Sequence, residues 1–224
     1  MGMTLTSRDT SPAASQSGPV VFVVDDDASV REALGALFRS IGLAVRLFGS
    51  ALEFLQGKPG ETPGCIVLDV RLPGVSGLDF QTQLSALGIH LPIIFMTGHG
   101  DIPMSVRAMK AGAIDFLAKP FREQDMLDAV AAAIECDGRR RRDLEAISNL
   151  RSHFASLTPR EQEVLTHVTS GLMNKQIAAA LGLSEITVKI HRGNLMRKMG
   201  ARSLADLVRQ AEALGVGTPL EMAR

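Results

Sequence analysis

Four groups among the first 119 residues of this 224-residue chain have the residue types for phosphate chemistry: Asp25-Asp26-Asp27, Asp69, Thr97 and Lys119. Carboxylates gathered at one point repel one another, so a site built from Asp25, Asp26 and Asp69 needs a cation. Oxygen-only ligands select a hard ion, and beside phosphate that ion is Mg2+. An aspartate next to such an ion is a competent nucleophile towards phosphorus. A lysine and a hydroxyl are the groups that hold phosphoryl oxygens. Asp69 is thus the candidate nucleophile, and Thr97 and Lys119 the candidate oxygen holders. Singly, each signal is weak: Asp27 better suits the cap of a following helix, and Lys119 also suits a surface lysine whose stem lies on a sheet.

Five short β-rich apolar runs, at 20–24, 43–48, 65–68, 93–96 and 114–117, alternate with helix-like segments near 28–40, 50–57, 77–88, 102–111 and 123–136. That alternation predicts an α/β fold, a doubly wound five-stranded parallel sheet covered on both faces. In such a fold the working residues lie beyond the carboxyl ends of the strands. The first run ends in Asp25-Asp26-Asp27, the third in Asp69, the fourth in Thr97-Gly98 and the fifth in Lys119-Pro120. All four groups therefore converge on one sheet edge. By periodicity alone, Phe116 is plain core.

The second half has different chemistry. Residues 1–137 carry 10 Lys and Arg against 16 Asp and Glu, whereas residues 138–224 carry 14 against 8. A neutral average thus hides an acidic half and a basic half suited to a polyanion. Arg139–Arg142 open a basic segment with apolar residues at 144, 147, 150 and 154, which predicts a separate linker helix over 139–155, either self-pairing or merely solvated. From Leu157 onward the chain reads as helical, a small all-α domain. Thr158-Pro159-Arg160-Glu161 is a helix start with a capping box. A short helix at 174–181, a Gly182-Leu183 turn and a third helix at 185–199 capped by Ser184 form a helix-turn-helix pattern, followed by a helix at about 203–214.

On a wheel, Val188, Leu195 and Met199 of the third helix share a packing face, with His191 beside it. The opposite face carries Ile186, Lys189, Ile190, Gly193 and Arg197, flanked by Asn194. Cations, an amide and an isoleucine on one exposed face suit a major groove, where an apolar side chain meets a thymine methyl. Arg192 lies nearer the packing side, positioned to pair with Glu161 or Glu163. Cys65 and Cys136 sit in apolar stretches with no metal-ligand spacing and are expected as buried, reduced thiols in a reducing compartment. No apolar run reaches the ~18 residues of a membrane span, and residues 1–18 read as a disordered leader. These features predict a cytoplasmic protein with no membrane association.

Residues 20–135 resemble the receiver domain of bacterial two-component systems, on the stretches 23–27, 68–74 and 116–121. The stretch 97–104, Thr-Gly-His-Gly-Asp-Ile-Pro-Met, is especially similar to the FixJ branch. Residues 157–215 resemble the LuxR/FixJ-type DNA-binding domain on 172–178 and 187–192. Together they resemble the NarL/FixJ response regulators. The resemblance implies a leader (1–18), a receiver (19–137), a basic linker helix (138–156), a DNA-binding domain (157–216) and a tail (217–224).

It also implies roles. Asp69 accepts a phosphoryl group from a sensor histidine kinase. Asp26, Asp69 and the main-chain carbonyl of Arg71 bind Mg2+, with Asp25 helping through water. Thr97 and Lys119 hold phosphoryl oxygens, Phe116 is the switch aromatic, and Lys119-Pro120 is a candidate cis bond. Lys189, Ile190, Gly193 and Asn194 face bases; Lys175 and Thr187 sit near phosphates, with Arg197 on the same DNA-binding face. Phosphorylation promotes a homodimer, with Met104 and Val106 as candidate contacts, that binds double-stranded promoter DNA and activates transcription with RNA polymerase. Such a chain is not a conventional enzyme: it catalyses only its own phosphoryl acceptance and slow dephosphorylation. A haloacid-dehalogenase-type phosphotransferase, the rival enzyme class, requires an Asp where Arg71 stands. The other rival, a docking module with vestigial phosphorylation, is opposed by the complete set of site residues.

Overall fold

The computed structural model describes residues 18–57, 59, 62–98 and 102–216. Most of the predicted leader and the predicted tail, and His99, Gly100 and Asp101 of the FixJ-like stretch, lie outside them. The chain divides into two compact units, residues 1–139 and 140–224.

In the first unit, β1 (Val20–Val24), β2 (Ala44–Phe48), β3 (Gly64–Asp69), β6 (Ile93–Thr97) and β7 (Asp115–Ala118) form one sheet in the order β2-β1-β3-β6-β7. Every pairing in it is parallel. The helices are α1 (Ala28–Ser40), α2 (Ala51–Gln56), α3 (Gly77–Ala86), α4 (Ile102–Lys110) and the start of α5 (Glu123–Ala155). Side-chain alternation on β1 assigns the two faces. Val20, Phe22 and Val24 enter one core with Phe54 of α2, Phe80 of α3 and Ala108 of α4. Val21 and Val23 enter the other with Phe38 of α1 and Met126 of α5. The expected fold is thus the observed one. A two-residue ribbon, β4 (Arg71–Leu72) with β5 (Val75–Ser76), was not legible, because two residues carry no period.

Two expectations are corrected at the end of this unit. The linker is no separate helix: α5 runs unbroken from Glu123 to Ala155, through Asp137-Gly138. A mid-helix glycine costs only about 1 kcal/mol, and packing offsets it. Met126, Ala129, Val130, Ala133 and Asp137 form one buried stripe, and the Asp137 carboxylate accepts a 3.0 Å hydrogen bond from the Gly64 amide at the start of β3. Cys136 is exposed, not buried, because it lies off that stripe; Cys65 is buried as expected. Its thiol is pushed up to about 12 by burial and by the Asp137 charge, so it is inert as a nucleophile. Asp137→Ala strands the buried Gly64 amide. It should destabilise the first unit by about 1–3 kcal/mol, read in urea melts by circular dichroism, while Asp137→Asn retains most of the stability.

The second unit packs the end of α5 with α6 (Pro159–Thr169), α7 (Asn174–Leu181), α8 (Glu185–Met199) and α9 (Leu204–Ala213) around Val164, Leu165, Ile177, Val188, Leu195 and Leu207. The capping box at Thr158 is present: Glu161 N–H donates to Thr158 Oγ1 (3.3 Å) and Thr158 N–H to Glu161 Oε2 (2.8 Å). Gly182 closes α7 with φ of 65°, a left-handed conformation that sets the turn into α8 and that other residues adopt at a cost.

Candidate phosphoacceptor site and DNA-binding face

The sheet brings the predicted acidic residues together. One carboxylate oxygen from each of Asp25, Asp26 and Asp69 lies within 4.8 Å of the others. Asp25 is fully buried, Asp69 is 7% exposed and Asp26 faces solvent. Lys119 reaches in from the end of β7, with Nζ 2.6 Å from Asp25 Oδ2 and 3.5 Å from Asp69 Oδ2. The other oxygen of Asp25 accepts from the Asp27 amide at 2.9 Å. Thr97 is fully buried at the end of β6, next to β7, where its carbonyl accepts from the Lys119 amide at 2.7 Å. Lys119-Pro120 is cis.

Asp27 belongs to the fold, not to the acidic cluster. It caps α1, accepting from the amides of Ser29 (2.8 Å) and Val30 (3.4 Å) and from the Ser29 hydroxyl (2.6 Å). The Ser29 hydroxyl, then the two amides, hold its carboxyl below the ordinary range.

Burial does the opposite to Asp69. Desolvation, opposed by the Lys119 ammonium and reinforced by the Asp25 charge, holds its carboxyl above the ordinary range. A carboxylate that is poorly stabilised as an anion and open at one edge is a better nucleophile than a well-solvated one. The Arg71 amide lies 3.4 Å from Asp69 Oδ1, so the turn after β3 holds this carboxylate. The donor set fits a divalent ion of the Mg2+ class: three carboxylates, all oxygen, at the mouth of a sheet.

Two positions in this site were not foreseen. Arg31 of α1 donates from Nη1 to the Asp25 carbonyl at 2.6 Å and clamps the end of β1. Gly77 opens α3 so close to Asp69 that a Cβ there would fall 2.5 Å from the Asp69 carbonyl oxygen. Neither carries a sequence signal, since each meets a main-chain atom outside its own helix.

Phe116 is half-buried, with its ring centroid 6.4 Å from that of Phe95. On α4, Met104 is half-buried and packs towards the core, whereas Val106 is exposed with Ile102 and Met109.

In the second unit the two faces of α8 separate as the wheel predicts. Val188, Leu195 and Met199 are buried, and Lys189, Ile190, Gly193 and Arg197 are exposed, as is Lys175 of α7. Thr187 and Asn194 are half-buried. The Thr187 hydroxyl is 2.8 Å from that of Ser184, and Asn194 Oδ1 accepts from Arg197 Nη2 at 3.2 Å. One pairing is corrected. Arg192 does not meet Glu161 or Glu163; its Nη1 donates to Asn174 Oδ1 at 2.8 Å, tying α8 to the start of α7. The partner of Glu161 is Lys198, at 2.7 Å, further along the same helix. Glu163 pairs with Arg160.

Among the described residues no helix is long and apolar enough to cross a membrane. Residues 21–131 match the response regulator receiver domain family, and residues 155–211 match the luxR family of bacterial regulatory proteins. The chain is 62% identical to nodulation protein W of Bradyrhizobium diazoefficiens, over 88% of this chain and 87% of that one. It is 47% identical to the transcriptional regulatory protein FixJ of Azorhizobium caulinodans, over 88% and 93%. Among solved structures it is similar to the response regulator StyR, at 54% identity and a TM-score of 0.79, covering 87% of this chain and 98% of that one. An acidic edge on a receiver sheet, joined to a LuxR-type helix-turn-helix, thus stands in a chain that matches these relatives along most of its length: the protein belongs to the NarL/FixJ family of two-component response regulators and is a transcription regulator.

Proposed function

We propose that Asp69 accepts a phosphoryl group from the phosphohistidine of a sensor kinase, in a Mg2+-dependent reaction, and that the phosphorylated chain dimerises and binds promoter DNA. The observation that carries this reading is the convergence of Asp25, Asp26 and Asp69 beneath the Lys119 ammonium. An Asp69 carboxylate oxygen forms the new bond to phosphorus as the bond to the donor nitrogen breaks. Asp26, Asp69 and the Arg71 carbonyl would hold Mg2+, whose chemistry is to neutralise charge on the phosphoryl oxygens. Both Asp25 oxygens already accept hydrogen bonds, which favours a contribution through water. Lys119 and the Thr97 hydroxyl then take phosphoryl oxygens.

A phosphoryl group adds about two negative charges and draws Lys119 and Thr97 inward. Phe116 turns into the vacated space, and the exposed face of α4 around Val106, with Met104 beneath it, becomes the contact for a second copy. Driving a population from 1:99 to 99:1 takes about 5.5 kcal/mol. The chain acts in the cytoplasm as an activator working with RNA polymerase. It catalyses only its own phosphoryl acceptance from the donor and slow dephosphorylation, and is not a conventional enzyme.

Incubation with acetyl phosphate and Mg2+, followed by mass mapping, tests the chemistry: the adduct forms on Asp69, and its absence there refutes the reading. The DNA half has its own test. Lys189→Ala should weaken binding without changing thermal stability. If Lys189 meets a phosphate, the slope of log affinity against log salt falls by about 1; if it meets a base, discrimination at one position relaxes instead.

A further inference from the structure

We infer that α8 reads thymine through its methyl group, with Ile186 and Ile190 each covering one thymine methyl in the major groove. The inference rests on the DNA-binding reading above and adds what the target must contain. Ile186 is 73% exposed and Ile190 58%, which makes them, with Met173, the most exposed large apolar residues among the described residues of the second unit. They are not needed for folding, since neither belongs to or packs against the third core, which is closed by Val188, Leu195 and Met199.

Spaced four apart, the two isoleucines sit on successive turns of one face, with Cβ atoms about 6 Å apart. That is nearly two steps of a duplex that rises about 3.4 Å per base pair.

The surroundings select the ligand. Lys189 lies between them in sequence and Arg197 lies on the same face two turns beyond Ile190; both are exposed cations suited to phosphates or guanine. Gly193 lies between Ile190 and Arg197, and nothing stands within 4 Å of where its Cβ would be. The helix can therefore lie close to the base edges along this stripe. Isoleucine offers no hydrogen bond to the donors and acceptors of the groove and would leave them unpaired. The one apolar group on a base edge there is the thymine methyl. A cation-flanked pair of isoleucines thus calls for two thymines within about two base steps, on one strand or across the two.

The test starts with the full chain, Mg2+ and acetyl phosphate, used to select duplexes from a random library. Each thymine of the selected site is then replaced singly by deoxyuridine, which removes the methyl and keeps every hydrogen-bonding group. Two positions within two base steps should each lose about three- to fivefold in affinity, the value of one buried methyl. Ile186→Ala should make one of those positions indifferent to the replacement, and Ile190→Ala the other, with unchanged melting of either variant. If every deoxyuridine duplex binds as its thymine parent, or if both variants keep full sensitivity to the lost methyl, the inference is overturned. Failure to select any duplex overturns the DNA-binding reading itself, and is thereby distinguished from failure of the methyl contact.

Discussion

Asp69→Asn abolishes phosphoryl acceptance and, with it, the gain in DNA affinity that a phosphodonor confers. The carboxamide is nearly isosteric, so basal DNA binding survives; what disappears is the nucleophilic oxygen. Couplings between sites in regulated proteins typically change affinity about 5- to 150-fold, and the whole of that factor should be lost. Anisotropy titrations of a labelled duplex, with and without acetyl phosphate in Mg2+, read it directly. The substitution has a second consequence that a simple loss of folding does not produce. Burial and the neighbouring Asp25 charge, against the pull of Lys119, make the ionised Asp69 unfavourable to the folded state. In metal-free buffer near neutrality, Asp69→Asn should therefore melt a few degrees higher than the parent chain. A variant that still responds fully to the phosphodonor would remove Asp69 from its assigned role.

Removing Glu161 should strongly destabilise the DNA-binding unit. Its side chain is 4% exposed, accepts from Lys198 Nζ at 2.7 Å, and completes the capping box with Thr158. Breaking a buried pair costs about 3–5 kcal/mol. With Lys198 partly open to solvent, about 3 kcal/mol is expected for Glu161→Ala. A helical unit of roughly sixty residues holds only about 3–9 kcal/mol in total. Hydrogen exchange should therefore quicken throughout α6–α9 while the sheet amides remain protected.

The same pair sets a pH dependence. Burial pushes the Glu161 carboxyl up, but hydrogen bonds from Lys198 and Thr158 outweigh it and hold the group below its ordinary 4.5. The stability it contributes is fully present above that value and is lost as pH falls through the lower folded value. Glu161→Gln should flatten this acid limb of the melting curve, and an unchanged limb would assign it to other groups.

How much of this was legible follows from how each residue acts. Asp25, Asp69, Thr97 and Lys119 stand at strand ends, and strand ends can be read from apolar runs, so their convergence was predictable before any geometry. The two faces of α8 follow from a 3.6-residue period, and the end of α7 and the start of α8 from the Gly182 turn and the Ser184 cap. Arg31, Gly77 and Asp137 act on main-chain atoms outside their own helices, which leaves no pattern in the local sequence. A wheel shows direction but not reach: the neighbour that Arg192 meets is Asn174 on α7, not a carboxylate on α6. Local propensity alone starts a new helix after Gly138, and the buried Asp137 overrides it.

The central claim, that phosphate on Asp69 converts this chain into a dimer, is tested most directly by light scattering of the full chain in Mg2+, with and without beryllofluoride. The account predicts a monomer alone and a dimer with the phosphoryl mimic, and no change when Mg2+ is withheld. A mass that stays the same with and without the mimic would contradict it.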